Sequence, residues 1–241
     1  MTQLPNLGQE SVHETFRIII PGYFALFAVY TLYPEPFNGE SGIALALIGG
    51  VGLGIFLYGM NLQNWLPLFN PLRKMLKTYE SEKTQTMKKI WNQFNENSPS
   101  KVNTKELDTD KFYSDFWSNF SYSEVSESVR ARQRIYASTF YLYANCCFVM
   151  IGYFVSVLIA ISNPHITQFL SYNLNLQFNA ARLVFSIAFA GFFWFKAKEE
   201  LEHSMSFQKT AMYWHSKELC EKLSDVMKLH EKIMESGEKQ K

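Results

Sequence analysis

Four stretches of this chain, residues 18–33, 43–60, 139–161 and 183–195, contain no Asp, Glu, Lys, Arg or His, and the 23 basic and 22 acidic residues all lie elsewhere. Averages hide this, because the chain as a whole is 47% hydrophobic and 19% charged with a net charge of +1. A soluble domain has no reason to sort its charge in this way. A bilayer does, since a charge at its centre costs roughly 2.5–3.5 kcal/mol even on the most lenient insertion scale. The composition also excludes a disordered chain, a collagen and a strongly basic nucleic-acid tail.

The segments are expected to be four membrane-spanning helices. The first runs from about Phe16 to Tyr33, with Arg17 at its edge able to reach the headgroups and Pro21–Gly22 expected to loosen its first turns. The second is Gly42 to Met60 and the third Ser138 to Ser162. The fourth is the weakest. Its apolar run, Leu183–Phe195, reaches spanning length only with Phe178–Arg182, so a re-entrant or interfacial segment is the alternative. The first residues are polar, include Glu10 and Glu14, and lack the basic start and small-residue cleavage site of a signal peptide. Cys146, Cys147 and Cys220 form no disulfide framework or zinc set, which fits a reducing compartment.

Orientation follows from Lys and Arg. The segment 61–138 carries 12 and the tail from Lys196 carries 9, whereas 34–41 and 163–181 carry none. The positive-inside rule then puts both termini and the central segment in the cytoplasm of a multi-pass inner-membrane protein. The expected architecture is all-α: a first transmembrane hairpin over 1–60, a cytoplasmic helical region over 61–137, a second hairpin over 138–195, and a cytoplasmic C-terminal helix over 196–241.

The spans carry small-residue stripes. Gly42, Ala46, Gly50 and Gly54 recur every four residues, and Gly152, Ser156 and Ala160 repeat the pattern in the third span. Such stripes let helix backbones approach closely in lipid. The plain expectation is that span two packs on span three within one chain; the sharper one is an oligomer seam or pore wall.

In the central segment, Trp65 and Phe69 with Arg73, Lys74 and Lys77 suggest an interfacial stretch. Met87, Ile90, Trp91 and Phe94 share one helix face. Phe112, Tyr113, Phe116, Trp117 and Phe120 form an aromatic stripe, a face for burial on a partner helix before it is a base-stacking platform. Ser121 and Glu124 are spaced as a capping box, from which the third span should extend inward as one long helix. Its cytoplasmic end holds Arg130, Arg132 and Arg134, which anchor a span beside the bilayer and offer a possible phosphate or nucleotide contact. No Pro or Gly interrupts 196–236, and Met205, Met212, Leu219, Val226 and Ile233 recur every seven residues with Leu223, Met227, Leu229 and Met234 widening the face, a spacing that predicts an oligomer seam of coiled-coil type or a helix packed on the cytosolic region. His203, His215 and His230 are not spaced as metal ligands.

Chemistry is sparse. There is no phosphate-binding loop, dinucleotide fingerprint, zinc-protease motif or nucleophile elbow. An intramembrane catalytic or proton-coupled site would need Asp, Glu, His or Lys in the spans, whose polar groups are instead Thr31, Asn145, Ser156 and Ser186. No enzyme activity and no cofactor are expected. A passive pore, walled by hydroxyls, backbone and water, remains open to such a chain.

Arg17-Ile-Ile-Ile-Pro21-Gly22-Tyr23 after a short polar start, and a glycine-rich second span ending Gly54-Ile-Phe-Leu57-Tyr58, resemble small bacterial membrane effectors encoded in anti-phage defence operons. The Hailong membrane effectors are the nearest such family, with the Kiwa membrane component a second. The resemblance covers the four spans and the segment between spans two and three. It implies an oligomeric inner-membrane pore, held shut or opened through its cytosolic part by a cytosolic protein or a nucleotide or nucleic-acid regulator, and it supplies no site residues. The alternative is a non-conducting membrane anchor or scaffold that recruits a cytosolic partner.

Overall fold

The computed structural model describes residues 7–37, 40–60, 67–97, 110–163 and 176–238. Among them the chain is all-α: α1 (Leu7–Leu32), α2 (Glu40–Met60), α3 (Asn70–Asn97), α4 (Asp110–Ser123), α5 (Glu127–Ser162), α6 (Leu176–Trp214) and α7 (Ser216–Glu238), with short 3-10 turns at Glu35–Phe37 and Pro67–Phe69. Four helices are long and apolar enough to cross a membrane, over Thr15–Leu32, Ser41–Met60 and within α5 and α6. The fourth segment, weakest by composition, is therefore part of a full-length helix. Trp65 and the stretch around Ser98–Pro99–Ser100 lie outside the described residues.

The chain divides into two compact units, residues 1–70 with 134–203, and residues 71–133 with 204–241. α5 and α6, of 36 and 39 residues, each contribute to both.

In the first unit, α1 and α2 form a close antiparallel hairpin. α1 runs through Pro21, which lacks the N–H that would bond the Arg17 carbonyl. A second contact set joins α1, α5 and α6: buried Cys146, Cys147, Met150, Tyr153 and Val157 of α5 pack with Phe193 of α6 and with Ile20 and Phe24 of α1. Phe24 meets Phe193 edge-on, with ring centroids 5.5 Å apart. The Thr31 hydroxyl donates to the Tyr153 hydroxyl at 3.0 Å, a polar tie between α1 and α5. Ile43, Leu47, Ile48, Ile55, Phe56, Leu158, Ile159, Val184, Phe185 and Phe192 are exposed, as side chains that face acyl chains can be.

The second unit buries a mixed aromatic and aliphatic core. Met87, Ile90 and Trp91 of α3, Tyr113, Trp117 and Phe120 of α4, and Met212, Leu219, Cys220, Leu223 and Met227 of α6 and α7 form one cluster. Both apolar faces expected from helical spacing are thus buried, and the aromatic stripe is core, with Trp117 stacked at 6.0 Å on Phe120.

One local expectation is corrected. The cap of α5 is Ser126, whose carbonyl accepts from the Val129 and Arg130 amides at 3.1 Å, while Ser121 lies inside α4 with its hydroxyl on the Ser118 carbonyl. Glu124 instead pairs with Lys222 of α7. In the tail, α6 and α7 meet at His215, where helical hydrogen bonding continues: the His215 amide donates to the Ala211 carbonyl at 3.1 Å and the Leu219 amide to the His215 carbonyl at 2.9 Å. The ring of His215 lies 2.8 Å from Glu218 and edge-on to Phe120, which holds the junction on α4.

Candidate functional site

Only glycine allows the approach seen in the α1–α2 hairpin. A Cβ on Gly22 would lie 2.6 Å from the Gly54 backbone nitrogen and closer still to the Gly50 carbonyl, and one on Gly54 would run into the Ile18 carbonyl. Gly50 faces the Tyr23 ring, whose hydroxyl donates to the Leu47 carbonyl at 3.3 Å. Gly42 abuts the Phe37 backbone in the connecting turn. The glycines of span two therefore meet span one, while span two packs on span three through another face, where Leu57 and Met60 cluster with Val149 and Phe148. Gly152 of α5 has open space where a Cβ would stand, Ser156 turns its hydroxyl onto the Gly152 carbonyl at 2.8 Å, and Ala160 is buried. Ala46 is half-buried. At the far end of the hairpin, the Arg17 guanidinium lies 4.6 Å from the Tyr58 ring centroid and donates to its hydroxyl at 2.8 Å, so Arg17 is held by protein at that end.

Between α5 and α6 runs an apolar groove of about 370 Å³, lined by Cys147, Ile151, Phe154, Ser186, Ala190 and Trp194 among others. Its one hydroxyl, Ser186, is spent on the Leu183 carbonyl at 2.9 Å. This wall offers contact and no chemistry.

The arginine cluster is largely committed within the second unit. Arg130 pairs with Glu127 at 2.6 Å, donates to the Tyr122 carbonyl at 2.8 Å and lies over the Tyr122 ring. Arg132 covers the Phe207 ring at 5.5 Å. Arg134, exposed, belongs to the first unit. The three are not brought together as a phosphate clamp within one unit.

The seam residues also separate. Met212 and Leu219 are buried in the second unit and Met205 is half-buried, but Val226 is 41% exposed, and the Ile233 side chain lies outside the described residues. The column buried within the chain continues from Leu219 through Leu223 to Met227 instead. Val226, with Leu229, forms an exposed strip beside it.

Ion pairs tie the helices of the second unit. Lys209 pairs with Glu82, Lys222 with Glu124, and Lys88 with Asp110 at 3.3 Å. The Tyr79 hydroxyl donates to the Gln208 side-chain oxygen, and burial pushes its phenol above the usual range. Burial lowers Lys83, with Glu80 and Asp115 opposing the shift. Burial also pushes the Cys220 thiol up to about 11, with Glu221 adding to it, and the thiol points at the Ile90 carbonyl 3.8 Å away. That is an inert thiol. No group of three or more His, Cys, Asp or Glu that could hold a metal occurs among the described residues.

Beside Cys220 is the feature sequence reading missed, a cleft of about 300 Å³ between α3 and the α6–α7 junction, lined by Ile90, Gln93, Phe94, Tyr213, Ser216, Lys217 and Cys220. The α6–α7 junction beside it carries no Pro or Gly, so no local signal announced it.

These features define an all-α membrane protein with four helices of spanning length and a second, helical unit with its own core. Compared with known proteins, the chain matches no family model, no curated protein and no solved structure.

Proposed function

We propose that the chain is an oligomeric inner-membrane effector, a gated ion channel or pore controlled through a cytoplasmic helical unit, of the type used in anti-phage defence. Both termini and the second unit face the cytoplasm in this reading, and the protein binds and gates without catalysing a reaction. The observation that carries it is the length of α5 and α6. At 36 and 39 residues they extend about 54 and 58 Å, nearly twice the roughly 30 Å of hydrocarbon in a bilayer. Each is one helix that begins or ends among the core residues of the second unit and continues as an apolar span. No Gly or Pro lies between its polar end and its apolar run, so a tilt imposed on that end is carried into the span. The spans themselves hold Thr31, Asn145 and Ser186 and no Asp, Glu, Lys, Arg or His between 139 and 161 or between 183 and 195, which suits a passive pathway and not a proton relay.

The test is conductance. Purified protein in planar bilayers should give discrete current steps, and induced expression should depolarise cells, read with a potential-sensitive dye. Silent bilayers together with polarised cells would favour the other reading, a membrane scaffold that recruits a cytosolic partner.

A further inference from the structure

We propose that the cleft at the α6–α7 junction is a binding site for a small organic anion, a flat ring that carries a carboxylate or phosphate. The inference goes beyond the gating reading and does not depend on it.

The cleft lies wholly within the second unit, where α3 supplies Ile90, Gln93 and Phe94, the end of α6 supplies Tyr213, and the start of α7 supplies Ser216, Lys217 and Cys220. Its floor is apolar, because Ile90 and Cys220 are core residues and Phe94 packs against that core. Its rim is polar and unspent. The Gln93 amide, the Ser216 and Tyr213 hydroxyls and the Lys217 ammonium make no hydrogen bond or ion pair among the described residues. In the same unit Lys88, Arg130, Lys209 and Lys222 each have a carboxylate partner, while Lys217, like Lys74, Lys89 and Lys228, has none among the described residues, and of these only Lys217 lines the cleft. Glu218, next to Lys217 in sequence, is held by His215. The lining thus carries one cation, no carboxylate, and two aromatic rings.

Complementarity specifies the ligand. Phe94 and Tyr213 offer faces and edges to a flat ring. Lys217 offers a charge-assisted hydrogen bond to an anionic oxygen. Gln93 and Ser216 can donate or accept at the ligand's remaining polar edge. The volume is at the small end for ligand sites, about ten water molecules at 30 Å³ each, which favours a mono- or bicyclic ring over a larger molecule. An occupant therefore touches α3, the end of α6 and the start of α7.

The experiment is isothermal titration of the full chain in lipid nanodiscs with benzoate, 1-naphthoate and phenyl phosphate, blanked against empty nanodiscs, with benzylamine as the cationic control. Saturable binding of at least one anion and none of benzylamine is expected, with the better of the carboxylate and phosphate arms identifying the head group. Lys217→Glu should weaken binding at least tenfold, Lys217→Arg should retain most of it, and Gln93→Ala should weaken it less. Both positions are exposed, so melting temperatures should stay at the wild-type value, and Lys228→Glu on the same helix should bind as wild type. No saturable binding by any of the three anions, benzylamine binding equal to benzoate, or a Lys217→Glu titration that matches wild type would each overturn the assignment.

Discussion

Gly22 and Gly54 touch backbone to backbone: a Cβ on Gly22 would stand 2.6 Å from the Gly54 nitrogen. In lipid, association gains nothing from expelling water, so this contact rests on close van der Waals packing and fails when the backbones are forced apart. The Arg17–Tyr58 contact at one end of the hairpin and the Gly42–Phe37 contact at the other bracket it. The hairpin is thereby a fixed unit, on which α5 and α6 pack through Phe24 and Ile20.

Gly22→Ala and Gly54→Leu should destabilise the protein, since overpacking of a tight contact costs roughly 1–3 kcal/mol and here the obstacle is backbone that cannot rotate away. Gly52→Ala and Gly59→Ala, where a Cβ meets nothing, should be nearly silent, as should Leu47→Ala on the exposed side. Thermal unfolding in mild detergent measures this. Equal melting temperatures for Gly22→Ala and Gly52→Ala would disprove the close approach.

The topology is checked with reporters. Fusions after Lys241 or near Ser100 should read as cytoplasmic, and tags near Asn38 or Ser171 as external, because Lys and Arg crowd the first two regions and are missing from the loops of the last two. A periplasmic C-terminal fusion would remove α6 as a span.

Leu219 and Val226 should now behave differently. Leu219 is 1% exposed within the core of the second unit, so Leu219→Asp buries a charge beside Leu223 and Met227 and should cost several kcal/mol, unfolding that unit. Val226→Asp leaves the monomer intact and therefore reports on assembly alone, with Lys228→Asp as its control. Circular dichroism separates the first effect, and light scattering of the detergent-solubilised protein the second. A wild-type oligomer size for Val226→Asp would exclude Val226 from any seam between copies.

The Glu124–Lys222 pair sets a pH dependence. The hydrogen bond from Lys222 holds the Glu124 carboxyl below its ordinary value of 4.5. A carboxylate lowered by folding contributes its stability in full above that ordinary value and loses it as pH falls through the lowered one. The melting-temperature gap between wild type and Lys222→Met should be constant from pH 7 to about 5 and shrink below that, and it should be small throughout because the pair is solvent-screened. A gap that widens on acidification would reverse the sign of the argument.

Several features were legible in the residues alone. Charge-free runs and helical periods are local patterns, and the physics behind them, desolvation of charge and burial of one face per 3.6 residues, acts on each segment by itself. That suffices for four helices of spanning length and for the buried faces of Met87–Ile90–Trp91 and Tyr113–Trp117–Phe120. Partner choice is different. The stripe through Gly50 and Gly54 specifies a close approach but not whose backbone approaches, and only the three-dimensional arrangement assigned it to Gly22 and Ile18 of α1 in place of α5. The tail shows the same limit. Its seven-residue column, Met205 to Ile233, specifies an apolar face but not what covers it. Within α7, residues four apart, Leu219, Leu223 and Met227, face the core of the second unit while Val226 does not, and only the packed neighbours α3 and α4 decide which side chains beyond Leu219 are covered.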